Sequence, residues 1–163
     1  LLISLDKPRK IVKVGGQSCR RFLPVPPFKY NARIAGIENC PPDDYAERQI
    51  RAFRVVRTDP PADDSFLPVS IQGPVRKLSE KPLCSGFGLS LFTDVDSVKQ
   101  KMARLKRSHP HIEEALGSKI AEGVVAPGDG VCSEPNTQGH FTLHEYEGCN
   151  LAAKFVVVAQ GLE

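Results

Sequence analysis

Ten of the fourteen prolines lie in the first eighty residues, and they come in knots: Pro24, Pro26 and Pro27, then Pro41-Pro42, then Pro60-Pro61. Proline fixes φ and removes a backbone donor, so neither a long helix nor a central strand passes through those points. The spacing predicts an irregular, basic, proline-rich N-terminal arm over residues 1–42, with a short strand at Lys10–Val14. A single domain over residues 43–163 follows. A chain of 163 residues is long enough for one real core, burying roughly 70% of the surface its unfolded form exposes.

Beyond the arm, Asp43 and Asp44 are placed to cap a short helix at Tyr45–Ile50. Residues 52–57 (Ala-Phe-Arg-Val-Val-Arg) read as a strand, because Val55-Val56 abuts the stop Thr58-Asp59-Pro60-Pro61. A helix continuing through Phe53 is the competing reading, since Ala46, Ile50 and Phe53 share a helical face. Residues 86–92 alternate as a second strand, with Phe87, Leu89 and Leu91 on one side and Ser90 and Phe92 on the other. Thr93 or Asp94 then caps a helix whose Val95, Val98, Met102 and Leu105 make one apolar stripe. A short helical turn fits residues 110–116, up to Gly117. Lys119–Val125, His140–Tyr146 and Lys154–Ala159 are three further strands. Strands with one or two helices in no regular βαβ alternation predict an α+β fold with a mainly antiparallel sheet.

Charge is unevenly spread. Residues 1–34 hold eight Lys or Arg against Asp6, and Lys99, Lys101, Arg104, Lys106 and Arg107 form a second basic cluster. No apolar run reaches the length of a membrane span. Leu1–Leu5 is too short for a signal core and its charges follow instead of precede it, so the chain reads as cytoplasmic. The five cysteines (Cys19, Cys40, Cys84, Cys132, Cys149) are widely spaced and lack Cys-x-x-Cys pairs, which argues for free buried thiols over a zinc knuckle.

The densest ionisable chemistry lies in residues 139–148, Gly-His-Phe-Thr-Leu-His-Glu-Tyr-Glu-Gly. On a strand, His140, Thr142, His144 and Tyr146 face one way, and Phe141, Leu143, Glu145 and Glu147 the other. Glu145 and Glu147 are then same-side neighbours roughly 7 Å apart, a spacing at which one carboxyl can be pushed up and acid and base roles divided. His140 and His144, about 13 Å apart on such a strand, cannot share a metal. His109-Pro110-His111 is closer but lacks carboxylate support, so no metal site is expected. His140-Phe141-Thr142-Leu143 matches the His-x-Thr-hydrophobic motif of the 2H phosphoesterases, which need a second such motif; this chain has none.

In chain order, Phe53-Arg54-Val55-Val56, Gly88-Leu89-Ser90-Leu91-Phe92 and Glu145-Tyr146-Glu147 form an Arg, Ser, Glu-x-Glu series that resembles the signature of ADP-ribosyltransferase-like proteins, including small bacterial proteins of uncharacterised function. The resemblance covers residues 50–160. It implies NAD as substrate, with Arg54 on the phosphate or ribose and Ser90 supporting the nicotinamide pocket. Glu147 would stabilise the oxocarbenium-like transition state and Glu145 position the acceptor, with His140 and Thr142 as further ligand-binding residues. Arg51 and Arg57 are equally placed for the arginine role. One hydroxyl, Ser90, stands where the family has Ser-Thr-Ser. The alternative is a binding or assembly module, in which Phe22, Phe28 and Tyr30, interleaved with Arg20, Arg21, Lys29 and Arg33, contact a protein or stack on nucleic acid.

Overall fold

The computed structural model describes residues 24–73 and 80–161. Its helices are α1 (Asn31–Ile34), α2 (Val69–Gln72), α3 (Glu80–Ser85), α4 (Val95–Ser108) and α5 (Ile112–Leu116). Its strands are β1 (Ile50–Val56), β2 (Leu89–Phe92), β3 (Lys119–Val125), β4 (Gly130–Cys132), β5 (His140–Glu145) and β6 (Val156–Gln160). The six strands form one antiparallel sheet in the order β4-β5-β2-β1-β3-β6. The fold is α+β with a mainly antiparallel sheet, as the lack of βαβ alternation predicts. Five described helices replace the expected one or two, but only α4 is long; the others run four to six residues.

Each face of the sheet carries its own core. Ala52, Val56, Leu89, Leu91, Phe141 and Leu143 bury one face under Phe66, Leu151 and Phe155. These three come from, or adjoin, single 3-10 turns at Asp63–Phe66 and Ala152–Lys154. The covering is tight enough to need glycine: a Cβ at Gly123 would lie 2.6 Å from Phe155 Cε2. The opposite face brings Phe53, Phe92 and Ile120 against Val98 and Met102 of α4. That packing follows from the apolar stripe, and Asp94 starts the helix, its carboxylate accepting from Ser97 N at 2.7 Å and Ser97 Oγ at 2.9 Å. These bonds hold the Asp94 carboxyl below its ordinary range.

Several expectations change. Residues 45–49 are extended, not helical: Ala46 exchanges two backbone hydrogen bonds with Cys132 (3.0 and 2.8 Å) and extends the sheet beside β4. An unpaired sheet edge outcompetes a capping signal at this point. The polar stretch after Gly128 holds β4. Residues 152–154 make a 3-10 turn, so β6 begins at Val156. β5 ends at Glu145, and Glu147 lies beyond it. The expected strand at Lys10–Val14 falls outside the described residues. Of the arm, Phe28 to Pro42 packs on the domain: Phe28 bridges to Tyr146 and stacks on its ring at 5.2 Å, and Ile34 is buried.

Candidate functional site

β1 and β2 pair at one register point only, Phe53↔Phe92. One residue further along β1, the Arg54 side chain occupies the gap between them. Its Nη1 donates to the Ser90 carbonyl at 2.7 Å, where the amide of a paired strand would stand. Its Nε donates to the Ser65 carbonyl at 2.5 Å and its Nη2 to the Leu67 carbonyl at 3.5 Å. The guanidinium thus ties β2 to the 63–67 turn through main-chain acceptors. Burial pulls its pKa down to about 10, Glu145 opposing and Arg57 reinforcing the change, and it remains a cation at neutral pH. An arginine has five N–H donors, so capacity is left for a ligand.

The gap opens into a cleft of ≈ 470 Å³ between the sheet, α4 and the segments on either side of α2 and α3. Arg54, Lys101, Ser90, His140 and Thr142 all line it, and among the described residues no aspartate or glutamate does. The convergence follows from the register. Ser90 opposes Thr142 and Phe92 opposes His140, so alternate residues of β2 and β5 project to one face. Ser90 Oγ lies 2.5 Å from His140 Nε2, and the His140 ring sits edge-on to Phe92 at 5.3 Å. Burial, with Lys101 adding repulsion, holds His140 below the ordinary histidine range. In the tautomer whose Nε2 carries no proton, a neutral imidazole here would accept the serine proton, which is the arrangement needed to activate a hydroxyl. The remaining wall is apolar, with Val55, Leu67, Met102 and Leu105 among it.

Neither glutamate of Glu-x-Glu lines the cleft, although the charge of Glu145 acts on Arg54. Glu145 is buried on the opposite face of β5, where its Oε1 pairs with Lys29 Nζ at 3.1 Å and its Oε2 has no hydrogen-bond partner among the described residues. Burial raises its pKa, Lys29 opposing. Glu147 is exposed in the turn after β5, with its amide donating to Pro27 O at 2.8 Å. Of the residues expected to be catalytic, the fold brings Arg54 and Ser90 together with the ligand-binding pair His140 and Thr142; Glu145 and Glu147 do not line the cleft. Neither do Arg51, paired with Glu122 at 2.5 Å, and Arg57, paired with Asp64 at 3.1 Å.

The cysteines depart from the free-thiol reading. Cys40 and Cys84 form a disulfide across a separation of 44 residues, while Cys132 and Cys149 are free. Cys19 lies outside the described residues. The bond joins the loop after α1 to α3, two segments whose proximity no local pattern encodes. Lys101 is the site residue that the sequence placed only within a basic cluster; its helical position on the α4 rim is the signal that points it at the cleft. No known protein-family model, curated protein or solved structure matches this chain.

Proposed function

We propose that the cleft binds a phosphorylated small molecule of the NAD or ADP-ribose type. The carrying observation is that Arg54, Lys101, Ser90 and His140 converge on one cavity with no acid among the described residues of its lining. A diphosphate is recognised by a planar guanidinium with spare donors and by a nearby ammonium. The hydroxyls of Ser90 and Thr142 suit ribose or phosphate oxygens, and the apolar wall suits a base. Transfer of ADP-ribose would draw on the Ser90–His140 pair for proton movement, since neither Glu145 nor Glu147 lines the cavity. The arm reading has less behind it: Lys29 is paired with Glu145, and Phe28 is stacked on Tyr146.

A thermal-shift titration with NAD and ADP-ribose tests the proposal. Ligand at about 100 times its dissociation constant adds roughly 2.7 kcal/mol, a rise of several degrees for a chain of this size. Arg54→Lys, which loses the fork geometry, and His140→Ala are expected to weaken binding about tenfold or more, while Glu147→Ala leaves it unchanged. A flat response of the wild-type chain at millimolar ligand sinks the reading.

A further inference from the structure

Behind the cleft lies a second cluster that the Arg54 site does not use. His144 projects from β5 on the same face as His140 and Thr142, but it is buried, at 2% exposure. Its Nε2 lies 3.8 Å from Cys84 Sγ, its one hydrogen-bond partner among the described residues. A thiol or disulfide sulfur is a weak partner for a buried ring nitrogen. The Tyr45 ring packs against the imidazole at 5.9 Å between centroids. Cys40 Sγ, Cys84 Sγ and a His144 ring nitrogen all lie within 4.8 Å of one another.

We propose that Cys40, Cys84 and His144 form a zinc site when the two cysteines are in the dithiol state. Two thiolates and an imidazole are a donor set that suits zinc, with Zn–S near 2.3 Å and Zn–N near 2.0–2.1 Å. Tetrahedral geometry sets the two sulfurs roughly 3.8 Å apart. The Cys40 and Cys84 Cα atoms are 5.6 Å apart, so side-chain rotation alone supplies that separation. Burial pushes the His144 pKa down to about 4, so at neutral pH the ring is uncharged and has a lone pair to give. Three protein ligands leave a fourth position for water. A Cβ at Gly88 would press on Thr142 Cγ2 and stand 3.1 Å from His144 Nε2, so glycine lets β2 start close beside the imidazole. Gly88 also lines the cleft, so the cluster stands directly behind the cleft wall.

The disulfide and the zinc site are alternative states of the same two sulfurs. An external dithiol or phosphine reductant donates two electrons, the S–S bond breaks, and two thiols form with two protons. Zinc then displaces those two protons, forming two Zn–S bonds and one Zn–N bond. Cys84 lies in the last turn of α3, and the neighbouring Ser85 and Gly86 line the cleft. The exchange of disulfide for metal therefore occurs against the cleft wall.

The full chain is reduced with a phosphine under native conditions, stripped with a chelator, and titrated with Zn²⁺ against a chromophoric competitor. Cobalt(II) is titrated in parallel to read the thiolate-to-metal charge-transfer band. The expected result is one zinc per reduced chain, none per oxidised chain, and a cobalt band of tetrahedral type. Cys40→Ser and His144→Gln should each weaken zinc at least ~100-fold, beyond the usual 10–100-fold cost of losing a mere supporting partner. Cys19→Ser, Cys132→Ser and Cys149→Ser should leave it unchanged. Cys40 lies in a half-buried loop, so its variant keeps the test meaningful if His144→Gln fails to fold. A reduced, folded chain that binds no zinc overturns the proposal. So do unchanged affinity in Cys40→Ser, equal binding by the oxidised chain, and resistance of the bond to native-state reduction.

Discussion

The strongest quantitative consequence concerns the Cys40–Cys84 bond. It closes a loop of 44 residues. In the chain-entropy account, the unfolded state loses about 2.1 + 1.5R ln n cal/mol/K. For this loop the sum is about 13 cal/mol/K, or about 4 kcal/mol at 25 °C. The closed loop contains β1, and the segment around Cys40 is joined to the β4–β5 edge by isolated bridges on either side of it, Phe28↔Tyr146 and Ala46↔Cys132. Replacing both cysteines in Cys40→Ala/Cys84→Ala should therefore lower the folding equilibrium by roughly 800-fold. At about 2–4 °C per kcal/mol, the thermal midpoint should fall by roughly 8–16 °C. The assay is thermal and urea unfolding of the oxidised wild type and the double variant, with a chelator present so that metal cannot substitute for the bond. A midpoint shift below about 2 °C would refute the reasoning, because it would mean that the unfolded chain is already confined or that the bond is absent in solution.

Two further predictions are independent of the loop. His144 is held at about 4 by burial, against an ordinary value of 6.5, so between those values the unfolded chain binds more protons than the folded one. Stability should therefore fall as pH is lowered from about 6.5, on the order of 2–3 kcal/mol by pH 4.5. His140 adds in the same direction, while Glu145, raised by burial, works against them as it takes up its proton. Urea midpoints in chelator at pH 7.5 and 4.5 measure this, and a His144→Gln variant with an undiminished slope contradicts the assignment. At Gly123, a Cβ would press into the Phe155 ring, so Gly123→Ala should cost about 1–3 kcal/mol by overpacking. An unchanged or higher thermal midpoint would show that Phe155 yields freely.

Much of the framework is legible in the residues alone. The proline knots exclude long helices before residue 62, and no described helix there exceeds four residues. The stripe of Val95, Val98, Met102 and Leu105, begun by Asp94, specifies α4 because i, i+3, i+4 spacing and a side-chain cap act within one helix. The alternation of β5 places His140 and Thr142 on one face because side-chain direction in a strand has a period of two. For the same reason Glu145 goes to the other face.

What tertiary structure alone decided is pairing between distant segments. Ser90 meets His140 only because β2 opposes β5 in one register, and a shift of one residue would send the two side chains to opposite faces. Arg54 enters the cleft because β1 and β2 separate after a single pair. Residues 45–49 give up a helix to extend a sheet edge, and Cys40 finds Cys84 across 44 residues. No local periodicity carries that information, since the free energy of these contacts exists only once the sheet has brought their backbones together.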